Sequence, residues 1–241
     1  IVPEQYSWNS LLGLATRRYV THSIDLLCKR CDAVITLSQK IFNQLYLSYK
    51  VYHLSNVISI NDENMIKDTD FLYVGRLDCE KGLFSLLRVF RHFVHSNPSA
   101  TLRIVGEGPL QTRLQRYVVS SCMERNVLFT GHIAHHSIGS EYGRSRIFIL
   151  PSLIEQQGLV LLEAMRLSLP VICSASVYSA PDLIDPGRNG FLFEKEGDLL
   201  QCMKRLYRDP DLQIRMGREG YDKSQNYVAE EVIPQYLNFY E

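Results

Sequence analysis

The sequence predicts an α/β fold in which a parallel sheet carries helices on both faces. Short continuous apolar segments, FLYV, LRIV, LFT, FILP and VICS, recur between residues 70 and 174. A strand that is apolar at consecutive positions has to be covered on both sides, which is the setting of a parallel sheet. Stretches with helical spacing separate these segments, so strand and helix alternate along the chain. With 241 residues, 46% apolar and 22% charged, the chain can form one large domain, or one and a half, around a sizeable core.

Taken in order, residues 6–31 read as helical, with a mixed apolar and basic face, and lead into the short strand AVITLS. QKIFNQLYLSY then reads as a helix and KVYHLSNVIS as a strand. The polar stretch 60–68 is expected to link two domains. FLYVGRL is a strand, followed by a helix over about 81–95 that stops before Asn97-Pro98. TLRIVGEG leads to a helix starting near Pro109, a residue suited to a first helical turn. NVLFTGH, a short helix, RIFILPS, a helix over about 158–167, and PVICSA continue the alternation, and NGFLF is the last strand. Two helices surround RDPDLQ, and residues 228–240 form a final helix rich in aromatics. The expected division is 1–60, 61–225 and a terminal helix over 226–241.

Lysine plus arginine balances aspartate plus glutamate at 26 each, so nothing in the bulk charge points to nucleic acid or an anionic membrane. Any anion site must be local. Six scattered cysteines fit free thiols in a reducing compartment. No apolar stretch approaches the roughly 20 residues of a membrane span, and nothing reads as a signal peptide. The first residue is Ile1, and the expectation is a fragment of a longer protein.

In doubly wound sheets ligands bind beyond the carboxyl ends of the strands, where strand order reverses. The turn after the first of these strands is GRLDCEKG, in which Gly75 permits a close backbone approach. Arg76 and Lys81 bracket it, and two cations near a helix start can clamp a diphosphate. A surface basic pair would look the same. VGEGP lacks the Gly-x-Gly-x-x-Gly spacing of a dinucleotide fingerprint, which weighs against a nicotinamide-dependent dehydrogenase. In SLIEQQGLVLLEAM, Gly158 opens a helix whose amides at Gly158, Leu159 and Val160 are unpaired donors facing phosphate. Glu155 and Glu163 lie eight residues apart, about 12 Å if helical, close to the reach of a sugar–diphosphate–ribose unit. Carboxylates accept the hydrogen bonds that sugar and ribose hydroxyls donate. Solvated acids at the edges of a core helix are the plainer alternative.

Together CDAVITLS, YVGRLDCEKG, RIVGEGP, VLFTGHI, LPSLIEQQGLVLLEAM, LPVICS and NGFLF resemble, in order, the landmarks of the retaining nucleotide-sugar glycosyltransferases of the group-one family. The resemblance runs over residues 32–241. It implies the two-Rossmann-domain (GT-B) architecture, with this chain holding the C-terminal half and a remnant of the N-terminal, acceptor-side domain. The final helix over 226–241 would cross back toward that domain. By resemblance, Arg76 and Lys81 bind the donor pyrophosphate and stabilise the leaving charge. Glu155 holds the transferred sugar, Glu163 the ribose, the amides of 158–160 support phosphate, and Ile133 meets the base through its backbone. Glu155, Arg76 and Lys81 are thus the catalytic candidates. The implied reaction is transfer with retention from a UDP- or GDP-linked sugar to a glycan or lipid-linked acceptor, without a metal or other cofactor. The implied setting is the cytoplasm, at the inner face of the membrane, in polysaccharide or lipopolysaccharide assembly. Peripheral membrane association would run through the N-terminal domain.

The sequence departs from the family pattern in four places. Gln156-Gln157 follow the first glutamate where a small–aromatic pair is usual, and Leu167-Ser168 replace Cys-Gly. SVYSAPD stands for a Gly-Gly-x-x-Glu loop, with Asp182 in the place of its acid, and SNVIS lacks the usual glycine. Two other functions fit the same scaffold: a non-catalytic nucleotide-sugar-binding subunit, and an isomerase or phosphorylase, since fold does not fix function. Asp68-Thr69-Asp70 matches a metal-binding Asp-x-Asp but precedes its strand. Cys28-Lys29-Arg30-Cys31 has no second pair, and His132, His135 and His136 lack a fourth zinc ligand.

Overall fold

The computed structural model describes residues 34–36, 51–53, 60, 66–155 and 158–240. The chain divides into two compact units, Ile1–Ser55 and Asn56–Glu241. In the first, strands β1 (Val34–Thr36) and β2 (Val51–His53) pair in parallel, Val34 opposite Val51. These are the two strands expected there. The helices expected over 6–31 and 39–49, and Cys28 and Cys31, lie outside the described residues.

The second unit is built on a six-stranded, wholly parallel sheet in the order β5-β4-β3-β6-β7-β8. Its strands are β3 (Thr69–Val74), β4 (Leu102–Val105), β5 (Val127–Gly131), β6 (Ser145–Leu150), β7 (Val171–Ser174) and β8 (Gly190–Phe193). Helices follow in chain order: α1 (Leu83–Ser96), α2 (Gln111–Ser120), α3 (Ile138–Gly143), α4 (Leu159–Arg166), α5 (Ala180–Leu183), α6 (Glu196–Arg208), α7 (Pro210–Ser224) and α8 (Ala229–Tyr240). The α/β reading therefore holds element by element. The apolar runs are the central strands: Phe71, Leu72 and Tyr73 of β3 and Ile147, Phe148 and Ile149 of β6 are fully buried. On the edge strand β5, Leu128 is exposed, because one side of that strand has no neighbour.

Helix boundaries follow local chemistry. In α1, Leu83, Leu86, Leu87, Phe90 and Phe93 are buried, the spacing of an apolar stripe. Asn97 closes that helix by donating from Nδ2 to the Phe93 carbonyl at 3.0 Å, and Pro98 follows. The helix expected to begin near 81 instead starts with a separate 3₁₀ turn, Cys79–Lys81, that Gly82 ends in the left-handed region at φ 65°. The pair of helices around RDPDLQ is split by Asp209, whose Oδ1 accepts from the Leu212 amide at 2.8 Å ahead of Pro210. The short helix α5 lies in SVYSAPD, a segment read from sequence as a loop. Among the described residues no helix is long and apolar enough to cross a membrane.

An aromatic cluster locks α1 and α6 onto the sheet. Phe71 meets Phe93 edge-on at 5.2 Å between centroids and stacks with Tyr207 at 6.0 Å. Phe71→Ala is expected to cost about 3–5 kcal/mol, read as a lower urea midpoint with an unchanged m-value.

Asp68 and Asp70 flank Thr69, the first residue of β3, at the amino-terminal end of that strand. Arg144 Nη2 lies 2.6 Å from Asp68 Oδ2. Burial pulls the Asp68 carboxyl upward, but the hydrogen bonds from Arg144 and Thr69 and the charges of Arg144 and Arg103 outweigh it and leave it lowered. Asp70 accepts from the Thr101 amide at 3.0 Å and pairs with Arg146 at 3.6 Å. Both acids of the Asp-x-Asp match are therefore committed to holding strand starts together.

Candidate functional site

The chain runs outward from β3 to β4 and β5, then returns to the other side of β3 as β6. That reversal opens a crevice beyond the carboxyl ends of β3 and β6, and the loops there are tied to one another. On one side, the Gly75 amide donates to Val105 O at 3.0 Å, the Leu77 amide to Glu107 O at 2.9 Å, and the Gly106 amide to Gly131 O at 2.8 Å. On the other, the Leu153 amide donates to Glu80 O at 2.8 Å and the Tyr178 amide to Glu155 O at 2.9 Å. Glu155 also forms a parallel bridge with Val177. Five loops, those after β3, β4, β5, β6 and β7, thus make one connected rim.

Gly82 is the tightest point of that rim. A Cβ at this position would lie 2.0 Å from the carbonyl oxygen of Pro151, so the loops after β3 and β6 are in backbone contact. At Gly75 the backbone is closely approached, since a Cβ on Gly106 would lie 2.1 Å from the Gly75 carbonyl oxygen. A Cβ on Gly75 itself would lie 2.8 Å from the hydroxyl of Tyr73, which itself donates to the Arg76 carbonyl at 2.8 Å. Burial, with help from the Asp78 and Glu155 charges, pushes the Tyr73 hydroxyl far above its ordinary value, so it remains a donor.

Lys81 Nζ lies 2.5 Å from Glu155 Oε2, with the two side chains 19% and 21% exposed. The cation expected at the diphosphate and the acid expected at the sugar therefore meet directly. Arg76 is 75% exposed and makes a loose pair with Asp78 at 3.5 Å, so its guanidinium is held weakly and can swing. Gly158 caps α4 in the left-handed region. The amides of Leu159 and Val160 open that helix and have no carbonyl four residues back inside it. The Leu161 amide is taken up by Gly158 O at 2.7 Å.

Glu163 sits one turn into α4 and accepts at Oε2 from the Tyr142 hydroxyl at 2.7 Å. Tyr142 is fully buried. Burial first, and the Glu163 carboxylate second, hold its hydroxyl well above the usual phenol range. Ile133 follows β5 and packs half-buried against the core. Beside it the His132 amide donates to Glu107 Oε1 at 3.2 Å. Burial, and after it the charge of Glu155, push the Cys173 thiol far up. A cavity of about 520 Å³ opens elsewhere on the β3–α1 loop, walled by Asp78, Gly82, Phe84, Arg113, Leu153 and Glu196. Lys81 and Glu155 are not among its walls, and the crevice takes its definition from strand topology.

The even helical spacing expected between Glu155 and Glu163 is not what separates them. The helix covers only Leu159–Arg166. Glu155 is positioned instead by its bridge to Val177 and by Lys81. Gln156 and Gln157 lie outside the described residues. Asp182 is half-buried in the first turn of α5. Among the described residues no group of three or more His, Cys, Asp or Glu side chains is placed to hold a metal, and His132, His135 and His136 are exposed. Sequence reading missed Tyr142 and Glu107, whose partners lie 21 and 25 residues away.

Comparison with known proteins gives consistent matches. The model of the family described as glycosyl transferases group 1 matches residues 59–223. An uncharacterized glycosyltransferase of Haemophilus influenzae is 26% identical over 98% of this chain and 68% of its own length. The alpha-monoglucosyldiacylglycerol synthase of Acholeplasma laidlawii is 24% identical over 78% of this chain, which spans 46% of that enzyme. The crystal structure of Anabaena HepE in complex with UDP shares the fold, with a TM-score of 0.82 and 19% identity, over 99% of this chain and 69% of that one.

Proposed function

The chain belongs to the glycosyl transferases of group 1, and from that premise we propose that it supplies the donor-binding half of a sugar transferase. The donor is a nucleoside-diphospho-sugar, UDP- or GDP-linked, and transfer proceeds with retention. One observation carries the reading: the Lys81–Glu155 pair and the opening of α4 stand on the same rim, at the point where strand order reverses. That rim offers a cation and unpaired amides to a diphosphate, and carboxylates to the hydroxyls on either side of it.

The roles follow from what each group can do. Lys81, with the amides of Gly158, Leu159 and Val160, holds the pyrophosphate, and Arg76 swings onto it from its exposed position. As the glycosidic bond loosens, negative charge grows on the leaving diphosphate, and these fixed donors stabilise it. Glu155 turns from Lys81 to the hydroxyls of the transferred sugar, and Glu163 accepts from the ribose diol. Ile133, fixed by the Glu107–His132 hydrogen bond, meets the base through its backbone. No metal enters these roles, because two cations and a helix start carry the phosphate charge. The acceptor is a glycan or a lipid-linked sugar in envelope polysaccharide or lipopolysaccharide assembly, at the cytoplasmic face of the membrane. The diacylglycerol product named for the Acholeplasma relative supports a lipid-linked acceptor.

Calorimetric titration of the chain with UDP and with GDP tests the donor site. Saturable heat is expected with one of them, and Lys81→Ala is expected to lower that affinity about tenfold or more, the scale of a lost charged hydrogen bond. No heat with either nucleotide would sink the donor-site reading.

A further inference from the structure

We propose that Tyr142 is a positioning residue for nucleotide recognition, aiming the Glu163 carboxylate at the ribose. The proposal rests on the ribose role of Glu163. The Tyr142 side chain has no exposed surface, and its ring lies against Phe148 of β6 at 5.7 Å between centroids. Phenylalanine would fill the same space. A hydroxyl carried into such a place costs stability unless it is used, and here it donates to Glu163 Oε2 at 2.7 Å, with the Val160 carbonyl a distant second acceptor at 3.5 Å.

The donor is itself held firmly. Tyr142 belongs to α3, which is fastened on both sides of that residue. Glu141 pairs with Arg103 at 3.2 Å, and its carbonyl accepts from Ser145 Oγ at 2.7 Å. The Arg144 amide donates to Ser140 O at 3.0 Å. Burial holds the hydroxyl in its protonated form, so it donates and Glu163 Oε2 accepts. A carboxylate offers about four lone-pair directions. Tyr142 takes one on Oε2 and thereby fixes the side-chain torsions of a half-buried glutamate. The remaining directions are left to accept two hydrogen bonds from a cis-diol on a carboxylate set in advance. Without the hydroxyl, Glu163 would have to order on binding, and that entropy would be subtracted from affinity.

The test compares UDP and GDP with their 2′,3′-dideoxy forms on the full chain, as wild type, Tyr142→Phe, Glu163→Gln and the double variant. Wild type should favour the ribonucleotide by about tenfold or more, and Glu163→Gln should bring that preference to within about twofold. Tyr142→Phe should weaken the ribonucleotide about threefold to tenfold and leave the dideoxy form unchanged. It should add nothing in the Glu163→Gln background. Equal loss for both nucleotides, or loss for neither, would overturn the positioning role, since a merely structural defect lowers both. Should Glu163→Gln leave the ribose preference intact, the ribose assignment falls, and the role of Tyr142 with it. A second measurement avoids removing the hydroxyl. With 3-fluorotyrosine placed at position 142, the fluorine resonance should shift on saturation with the ribonucleotide and stay in place with the dideoxy form. Identical spectra with the two would also overturn the proposal.

Discussion

Replacing Glu163 with Ala is expected to weaken UDP or GDP binding about tenfold to a hundredfold, the combined effect of two hydrogen bonds to a charged acceptor. Asp182→Ala, in the first turn of the short helix α5, is expected to change affinity by no more than about twofold. The contrast matters because both acids stand at motif positions in the sequence, and Glu163 is backed by the buried Tyr142 hydroxyl. The Glu163 substitution should also lower stability by about 1–3 kcal/mol, because it leaves the Tyr142 hydroxyl in the core with only the long contact to the Val160 carbonyl at 3.5 Å. Thermal unfolding measured beside calorimetry separates the two effects: an equal loss of binding in both variants would refute the assignment of Glu163.

The second large effect is expected at Gly82. A β-carbon there collides with a backbone oxygen at 2.0 Å, which cannot move without shifting β6. A residue other than glycine also has to hold φ near 65°, a left-handed conformation that costs about 1–2 kcal/mol. Gly82→Ala is therefore expected to destabilise the protein by about 4 kcal/mol or more and to displace Lys81, with loss of nucleotide binding. Gly197→Ala is the matched control. Nothing lies within 4 Å of a Cβ at that position, in the first turn of α6, and alanine there should be neutral or stabilising by up to about 1 kcal/mol. Urea melts of the two variants check the pair, and similar midpoints would contradict the rim contact.

How far the sequence could be read depended on the range of the forces involved. The strands β3, β6 and β7 were legible because burial on both faces is a property of consecutive residues, and α1 because its apolar stripe repeats within fourteen residues. Arg76, Lys81 and Glu155 were legible as residue types in the loops after strands, and Glu163 as an acid inside the helix that follows. What lay beyond reach were contacts between loops that are distant in the chain. Lys81 and Glu155 are 74 positions apart, and their pairing follows from β3 and β6 being neighbours in the sheet. Tyr142 reads as one more apolar residue of a short helix until α3 is set beside α4. Glu155 and Glu163 looked like the two ends of one regular spacer. In fact the acids are anchored separately, one by a strand bridge and the other by a helix.

That separate anchoring, together with the Lys81–Glu155 pair, makes the proposed site behave as a coincidence detector. Inorganic pyrophosphate would draw Lys81 away and bring negative charge close to Glu155. A free sugar would engage Glu155 and strand Lys81. Each half of the ligand thus breaks an attraction that only the other half restores. A molecule in which sugar and diphosphate are covalently joined meets both demands at once, so the intact donor is favoured over the sum of its pieces, and the spent nucleotide is released as the pair closes again.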